Sequence, residues 1–242
     1  MMNILAFDTA SSSGAAAIMK DGEIIAHTQL NIGLTHSEQL LPTIDCLMTM
    51  TTMTMDAFDA IAITSGPGSF TGLRIGFSTA KGMALGLKKP LIPIPTLDVL
   101  AQNGAGINGL VVPIMNARRQ QVYTAVYRSD GHSILRQSDY QAIGIMDLLQ
   151  EIQTVSREPM VYFTGDGVDV FEETILAVLG ARAILATGCR KFVCADAVAQ
   201  LAQECYDEWS DLHGMRVEPL YLRESEAVIK WREQHPGERL ED

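Results

Sequence analysis

The chain has 242 residues, 47% of them apolar and 19% charged, with a formal net charge of −11. That is enough for one large domain or two small ones around a substantial core, and although mean hydropathy is +0.12, no apolar run reaches the ~18 residues of a membrane span. The acidic balance argues against tight binding of a phosphate backbone by the isolated chain, because protein surfaces that bind nucleic acid are rich in Lys and Arg.

The first elements read as an antiparallel meander. Asn3–Phe7 is an apolar strand ending in the polar turn Asp8–Ser13, Gly14–Met19 is a second strand, and Lys20-Asp21-Gly22 is a hairpin turn because Asp-Gly tolerates positive φ. Glu23–Leu30 returns. Leu40, Leu41, Ile44, Leu47 and Met48 recur at helical spacing over Ser37–Met50, with a kink expected at Pro42. The Thr/Met-rich run that follows, to Met55, reads as a frayed helix end and loop. Ala60–Thr64 is a short strand running into the Gly66–Gly72 loop and a helix to about Leu87. Leu91–Ile94 is a strand, Thr96 reads as the N-cap of a helix to Ala101, and Asn103–Gly109 is linker-like.

The pattern then repeats. Leu110–Met115 is an apolar strand ending at Asn116, Gln121–Tyr127 a second strand, Ser129-Asp130-Gly131 another Asp-Gly turn, and Ser133–Leu135 the start of the return. A helix over 145–153, a strand over 160–164, the turn Gly165-Asp166-Gly167, and helices over 170–179 and 196–208 complete the chain. Two meanders with matching tips and turns point to duplication. The fold class expected is α/β, a duplicated ribonuclease-H-like (actin-like ATPase, ASKHA) fold of two mixed sheets flanked by helices. The first subdomain is expected over 1–105 and the second, with a C-terminal tail, over 106–242; the helix near 196–208 is expected to pack back on the first.

Chemistry-bearing residues are sparse. The loop Gly66-Pro67-Gly68-Ser69-Phe70-Thr71-Gly72 either offers backbone N–H groups to an anion at a helix start or is a tight turn packed against a neighbour; it lacks the Gly-Lys-Ser/Thr of a phosphate-binding loop. Gly72, Gly76, Ala80 and Ala84 share one helix face, facing either the chain's own sheet or another subunit. Asp8, with Thr9 and Ser11, stands at a strand tip where a phosphate or metal-bound water is held in related ATPases, but the matching tip carries the amide Asn116, and one carboxylate makes a weak magnesium site. His36 could act as a base or be structural. Asn116-Ala117-Arg118-Arg119 could bind an anion or be a surface pair. Cys46, Cys189, Cys194 and Cys205 form no CxxC pair and read as buried reduced thiols. The five histidines have no ligand spacing, so no metal and no cofactor are expected. Residues 1–8 lack the basic segment of a signal peptide, so a cytoplasmic protein is expected.

Ile4–Ser11, His36-Ser37-Glu38-Gln39-Leu40-Leu41-Pro42, Gly66–Gly76, Ala80-Lys81-Gly82, Thr96-Leu97-Asp98, Asn116–Arg119 and Pro219-Leu220-Tyr221-Leu222-Arg223 together resemble the TsaB family, over nearly the whole chain. The Gly-Pro-Gly-Ser-Phe-Thr-Gly run is the most specific of these motifs; Asn116 departs from the family's usual Asp. The resemblance implies a non-catalytic subunit, related to the glycoprotease group, that pairs with TsaD, the enzyme that transfers threonylcarbamoyl to the adenosine next to the anticodon of tRNA. It further implies TsaE, an ATPase, as a third member, a homodimer in isolation, and contact with tRNA only through the complex. TsaD-like enzymes need paired metal-binding histidines on the first helix; here only His36 is present. The implied partner interface is Ser37, Leu40, Leu41, Ile44, Gly72, Leu73, Gly76, Ala80 and Ala84, and a vestigial phosphate site would comprise Asp8, Thr9, Ser11 and Asn116. The alternative is a free-standing actin-like ATPase or glycoprotease-type peptidase using Asp8 and the Gly66–Gly72 loop.

Overall fold

The structure, a computed structural model, describes residues 2–155, 159–210, 216–224, 228, 230–231 and 234–235. Most of the charged tail expected over 224–242 lies outside the described residues.

The first half builds a five-stranded sheet. Its strands are β1 (Ile4–Asp8), β2 (Gly14–Lys20), β3 (Glu23–Leu30), β4 (Ala60–Gly66) and β5 (Leu91–Pro95), in the order β3-β2-β1-β4-β5. β1 pairs antiparallel with β2 and parallel with β4. The Asp21-Gly22 turn closes β2 to β3 with both residues at positive φ, 54° and 86°. β1 is buried on both faces, and its alternating side chains sort into two cores. Leu5 and Phe7 pack with Leu40, Ile44, Leu73 and Phe77 of α1 (His36–Thr51) and α2 (Phe70–Leu87). Ile4 and Ala6 pack on the other side with Leu97 and Leu100 of α3 (Thr96–Ala101).

The second half repeats this plan. β6 (Asn108–Asn116) is its centre, followed on one side by β11 (Val161–Thr164) and, beyond that, β12 (Ala183–Leu185), all parallel. On the other side of β6 the second strand is broken into β7 (Gln121–Thr124) and β8 (Tyr127–Asp130), each antiparallel to β6, and the return is likewise split into β9 (Ile134–Arg136) and β10 (Gln141–Gly144). Helices α4 (Ile145–Val155) and α5 (Gly167–Leu179) enclose a third core on its outer face. The expected duplicated α/β fold with two mixed sheets flanked by helices is therefore the one adopted.

Helix α1 runs through Pro42, which is exposed. Three local expectations change. In the Thr/Met stretch Met53 is buried and joins the α1/α2 core. Thr96 is not a cap: the cap position is Pro95, and the buried Thr96 hydroxyl accepts the Gly66 N–H at 3.1 Å. The last helix breaks at Cys205 into α6 (Ala195–Glu204) and α7 (Tyr206–Trp209).

The linear boundary at 105/106 does not divide the packing. α6 crosses back onto β1 and β2, where Val198, Ala199 and Ala202 meet Ile4, Ala6 and Met19. Asp98 of α3 accepts hydrogen bonds from the hydroxyls of Tyr127 and, at 2.7 Å, Tyr140, so a single carboxylate ties the two halves together. Burial and the Asp98 charge push both phenols well above the usual range.

Candidate functional site

Between the halves, at the tips of β1 and β6, lies a cleft of about 540 Å³. From the first half it is lined by Ser11, His36 and the Gly68–Thr71 stretch; from the second by Asn116, Arg118, Tyr123 and Asp166. Tyr221 and Arg223, from near the end of the chain, line it as well.

The expected vestigial phosphate group is not brought together here. Ser11 and Asn116 line the cleft, but Asp8 and Thr9 lie beneath its floor, 0% and 1% exposed. The Asp8 carboxylate is saturated from within. It accepts the Ala10 N–H at 3.0 Å, the Ser11 N–H at 3.4 Å and the hydroxyls of Ser11 and Thr64. The carboxylate is thus the tie of its own turn. Burial raises its carboxyl above the ordinary range, against the opposing pull of Ser11 and Thr64. A raised folded pKa means that the stability associated with the bound proton is fully present below the unfolded value of 3.8 and is lost as pH rises through the folded one. Asp8→Asn is therefore expected to flatten the pH dependence of urea unfolding on the acidic side. Asp8→Ala, which strands four buried donors, is expected to cost about 3 kcal/mol; an unchanged urea midpoint would refute this account of the turn.

Asn116 acts locally too. Its side-chain oxygen accepts the Arg118 N–H at 2.9 Å, and its own N–H goes to Asp166 Oδ1 at 2.9 Å. The turn that follows places Arg118, Arg119 and Gln120 all at positive φ, between 51° and 62°, so Arg118 reaches the cleft on a left-handed backbone. Nothing in the sequence marked that turn. Asp166, read from sequence only as part of a turn, lines the cleft with its carboxyl raised by burial. His36 Nε2–H donates to the Ser11 carbonyl at 3.0 Å, while Nδ1 faces the Gln39 amide at 3.4 Å; the imidazole holds the β1 turn against α1.

The glycine loop packs closely. A side chain at Gly68 would run into the Ala10 carbonyl, and one at Gly72 into the Thr9 carbonyl. Ser69 caps α2 by accepting the Gly72 N–H at 3.2 Å, and its own N–H goes to Ala10 O at 2.8 Å. In the second half Gly165 and Gly167 press in the same way on the Ile114 carbonyl. Each loop is thus glycine-rich because it lies against the tip of its own central strand.

The small-residue stripe faces inward. Gly72, Gly76, Ala80 and Ala84 are buried, and a Cβ on Gly76 would strike Thr9 Oγ1 and Ile63. Leu40, Ile44 and Leu73 are likewise core residues. Of the expected interface set only Ser37 and Leu41 are exposed; the other seven are committed to the chain's own core. The opposite face of α2 carries Ser78, Gly82, Leu85 and Gly86, all exposed, with nothing within 4 Å of a Cβ built on Gly82 or Gly86. Beside it Leu41 and Met50 of α1 are exposed at 54% and 75%. The cysteines also differ from expectation: all four are free, but Cys46 and Cys189 are exposed and none is fully buried. Among the described residues no three His, Cys, Asp or Glu gather as a metal-binding group, and no helix is long and apolar enough to cross a membrane.

Comparison with known proteins fits this geometry. The model of the family "TsaD: tRNA N6-adenosine threonylcarbamoyltransferase" matches residues 30–231. A solved structure from Pseudomonas aeruginosa, an uncharacterized protein with similarity to peptidase YEAZ, superposes with a TM-score of 0.75 at 23% identity, covering 92% of this chain and all of that one. Component A of the (R)-2-hydroxyglutaryl-CoA dehydratase of Acidaminococcus fermentans shares the fold more distantly, with a TM-score of 0.53 at 12% identity over 84% of this chain and 98% of that one. The tRNA threonylcarbamoyladenosine biosynthesis protein TsaB of Escherichia coli is 31% identical over 95% of this chain and 98% of its own length. Its counterpart in Bacillus subtilis is 32% identical over the same shares of the two chains, and the chain belongs to the TsaB family.

Proposed function

We propose that this chain is a non-catalytic subunit of tRNA threonylcarbamoyladenosine synthesis, which binds and activates a TsaD-type transferase through the outward face of α1 and α2. The observation that carries this reading is the pairing of a sealed strand tip with an open helical face. Asp8 is held by four donors under the cleft floor, whereas Leu41, Met50, Leu85 and the bare backbone at Gly82 and Gly86 face solvent. Glycine on an exposed helix costs ~1 kcal/mol relative to alanine; close approach of a partner helix is the compensation that would keep two of them. The same face serves a second copy of the chain when the transferase is absent. The net charge of −11 leaves tRNA to the transferase, with a TsaE-type ATPase joining the assembly, and the work is placed in the cytoplasm. The test is threonylcarbamoyl transfer to tRNA by TsaD and TsaE with and without this chain. Transfer that requires the chain supports the reading. A chain that is dispensable, or that alone turns over ATP in a magnesium-dependent way, overturns it.

A further inference from the structure

A short segment near the end of the chain joins both lips of the cleft. Val217 is buried in the α1/α2 core of the first half. Three residues on, Leu220 N–H donates to the Ser65 carbonyl at 2.6 Å. The Leu220 carbonyl lies 2.5 Å from where a Gly66 Cβ would be, and Gly66 holds φ +106°, so the loop is shaped to admit this segment and no side chain. Tyr221 then packs on Phe70 with ring centroids 4.8 Å apart and the rings tilted by 36°. Arg223 finally reaches the other half, where Nη1 donates to the Ala117 carbonyl at 2.7 Å, at the start of the left-handed turn Arg118–Gln120. Apart from this segment, the halves are already joined by the Asp98 tie and the shared core around α3.

We propose that Val217–Glu224 is a clasp that closes across the cleft mouth and holds its two lips at a fixed opening, with the α3 side as the hinge. Four residues, Leu220–Arg223, link a carbonyl on one lip to a carbonyl on the other. Cutting one end frees the segment and should therefore be felt at the opposite lip. The proposal is independent of the assembly reading, since it concerns the isolated chain.

Hydrogen exchange of the full chain, followed by mass spectrometry with residue resolution, tests it. Arg223→Ala cuts the second-half end; exchange is expected to rise about tenfold at the Leu220 and Ser69 amides, on the first-half lip. Leu220→Pro removes the donor at the first-half end; exchange is expected to rise comparably at the Ala117 and Gln121 amides, on the second-half lip. Arg223→Lys keeps a donor and is expected to restore slower exchange at Leu220. Tyr221→Ala, which only takes the ring from Phe70, is the milder cut should the proline variant fail to fold, and is read at the same Ala117 and Gln121 amides. If each variant loosens only its own end, the segment is a passive tail and the clasp is refuted.

Discussion

Replacing Gly82 by leucine is expected to leave the chain folded and slightly more stable while weakening its association with the transferase at least tenfold. Both parts follow from the same bare backbone. Nothing lies within 4 Å of a side chain there, so the leucine enters solvent, and a better helix former in an exposed turn adds ~0.5–1 kcal/mol. A partner packed against that backbone would meet four new heavy atoms at the centre of the contact. Overpacking of this kind costs ~1–3 kcal/mol, and a tenfold loss of affinity corresponds to ~1.4 kcal/mol. Gly86→Leu should behave alike, whereas Leu176→Ser, on the exposed side of α5 in the other half, should leave affinity unchanged. Thermal unfolding and titration calorimetry with purified transferase separate the two effects. Wild-type affinity for both glycine variants would remove α2 from the interface.

Alanine at Gly72 or Gly76 is expected to do the opposite, lowering stability by about 3 kcal/mol or more at Gly72 and by about 2–3 kcal/mol at Gly76. In a chain of this size that is a fall of roughly 4–12 °C in Tm. The Gly72 clash is with the backbone carbonyl of Thr9, which can yield only if α2 lifts off β1. The Gly76 clash is mainly with Thr9 Oγ1, whose hydroxyl is engaged with the Gly72 carbonyl at 2.9 Å. Truncating Thr9 should therefore rescue one variant and not the other. The double variant Thr9→Ala/Gly76→Ala is expected to recover at least ~1 kcal/mol relative to the sum of the singles, while Thr9→Ala/Gly72→Ala recovers little. Urea unfolding of the six proteins decides it; strict additivity in both pairs would refute the packing described.

The contrast between the two faces of α2 shows what the sequence could and could not convey. The helix itself, its glycine-rich approach and the strands around it follow from apolar runs and Asp-Gly turns, and β3 occupies the very residues expected, Glu23–Leu30. Small residues alone did not reveal which face points inward, because both faces carry them: Gly72, Gly76, Ala80 and Ala84 on one, Ser78, Gly82 and Gly86 on the other. The discriminating signal was present in their neighbours. Leu73 and Phe77 flank the inner stripe, 1% and 4% exposed, and Arg74 marks the outer side. Other features left no local trace. β10 and β12 have four and three residues, too few for a period-2 pattern. Whether Asp8 stands in the cleft or beneath it depends on the neighbouring loop and Thr64, 56 positions away. None of the residues in the left-handed run Arg118–Gln120 favours positive φ; the run is closed by the Ala117 N–H on the Gln121 carbonyl and by the Ile145 N–H on the Gln120 carbonyl. Arg223 became part of the site only because the chain returns to the first half, at α6, after some ninety residues in the second.

That return also bears on how the molecule is made. The sheet face formed by Ile4, Ala6, Met19 and Ala17 is covered in large part by α6, which leaves the ribosome about a hundred residues after the first sheet is complete. At ~5–20 residues/s the part of this face that α3 leaves uncovered stays bare for roughly 5–20 s, and the Gly66 loop waits longer still for Leu220. The nascent first half thus emerges as an unfinished surface, a stage at which a chaperone would meet it.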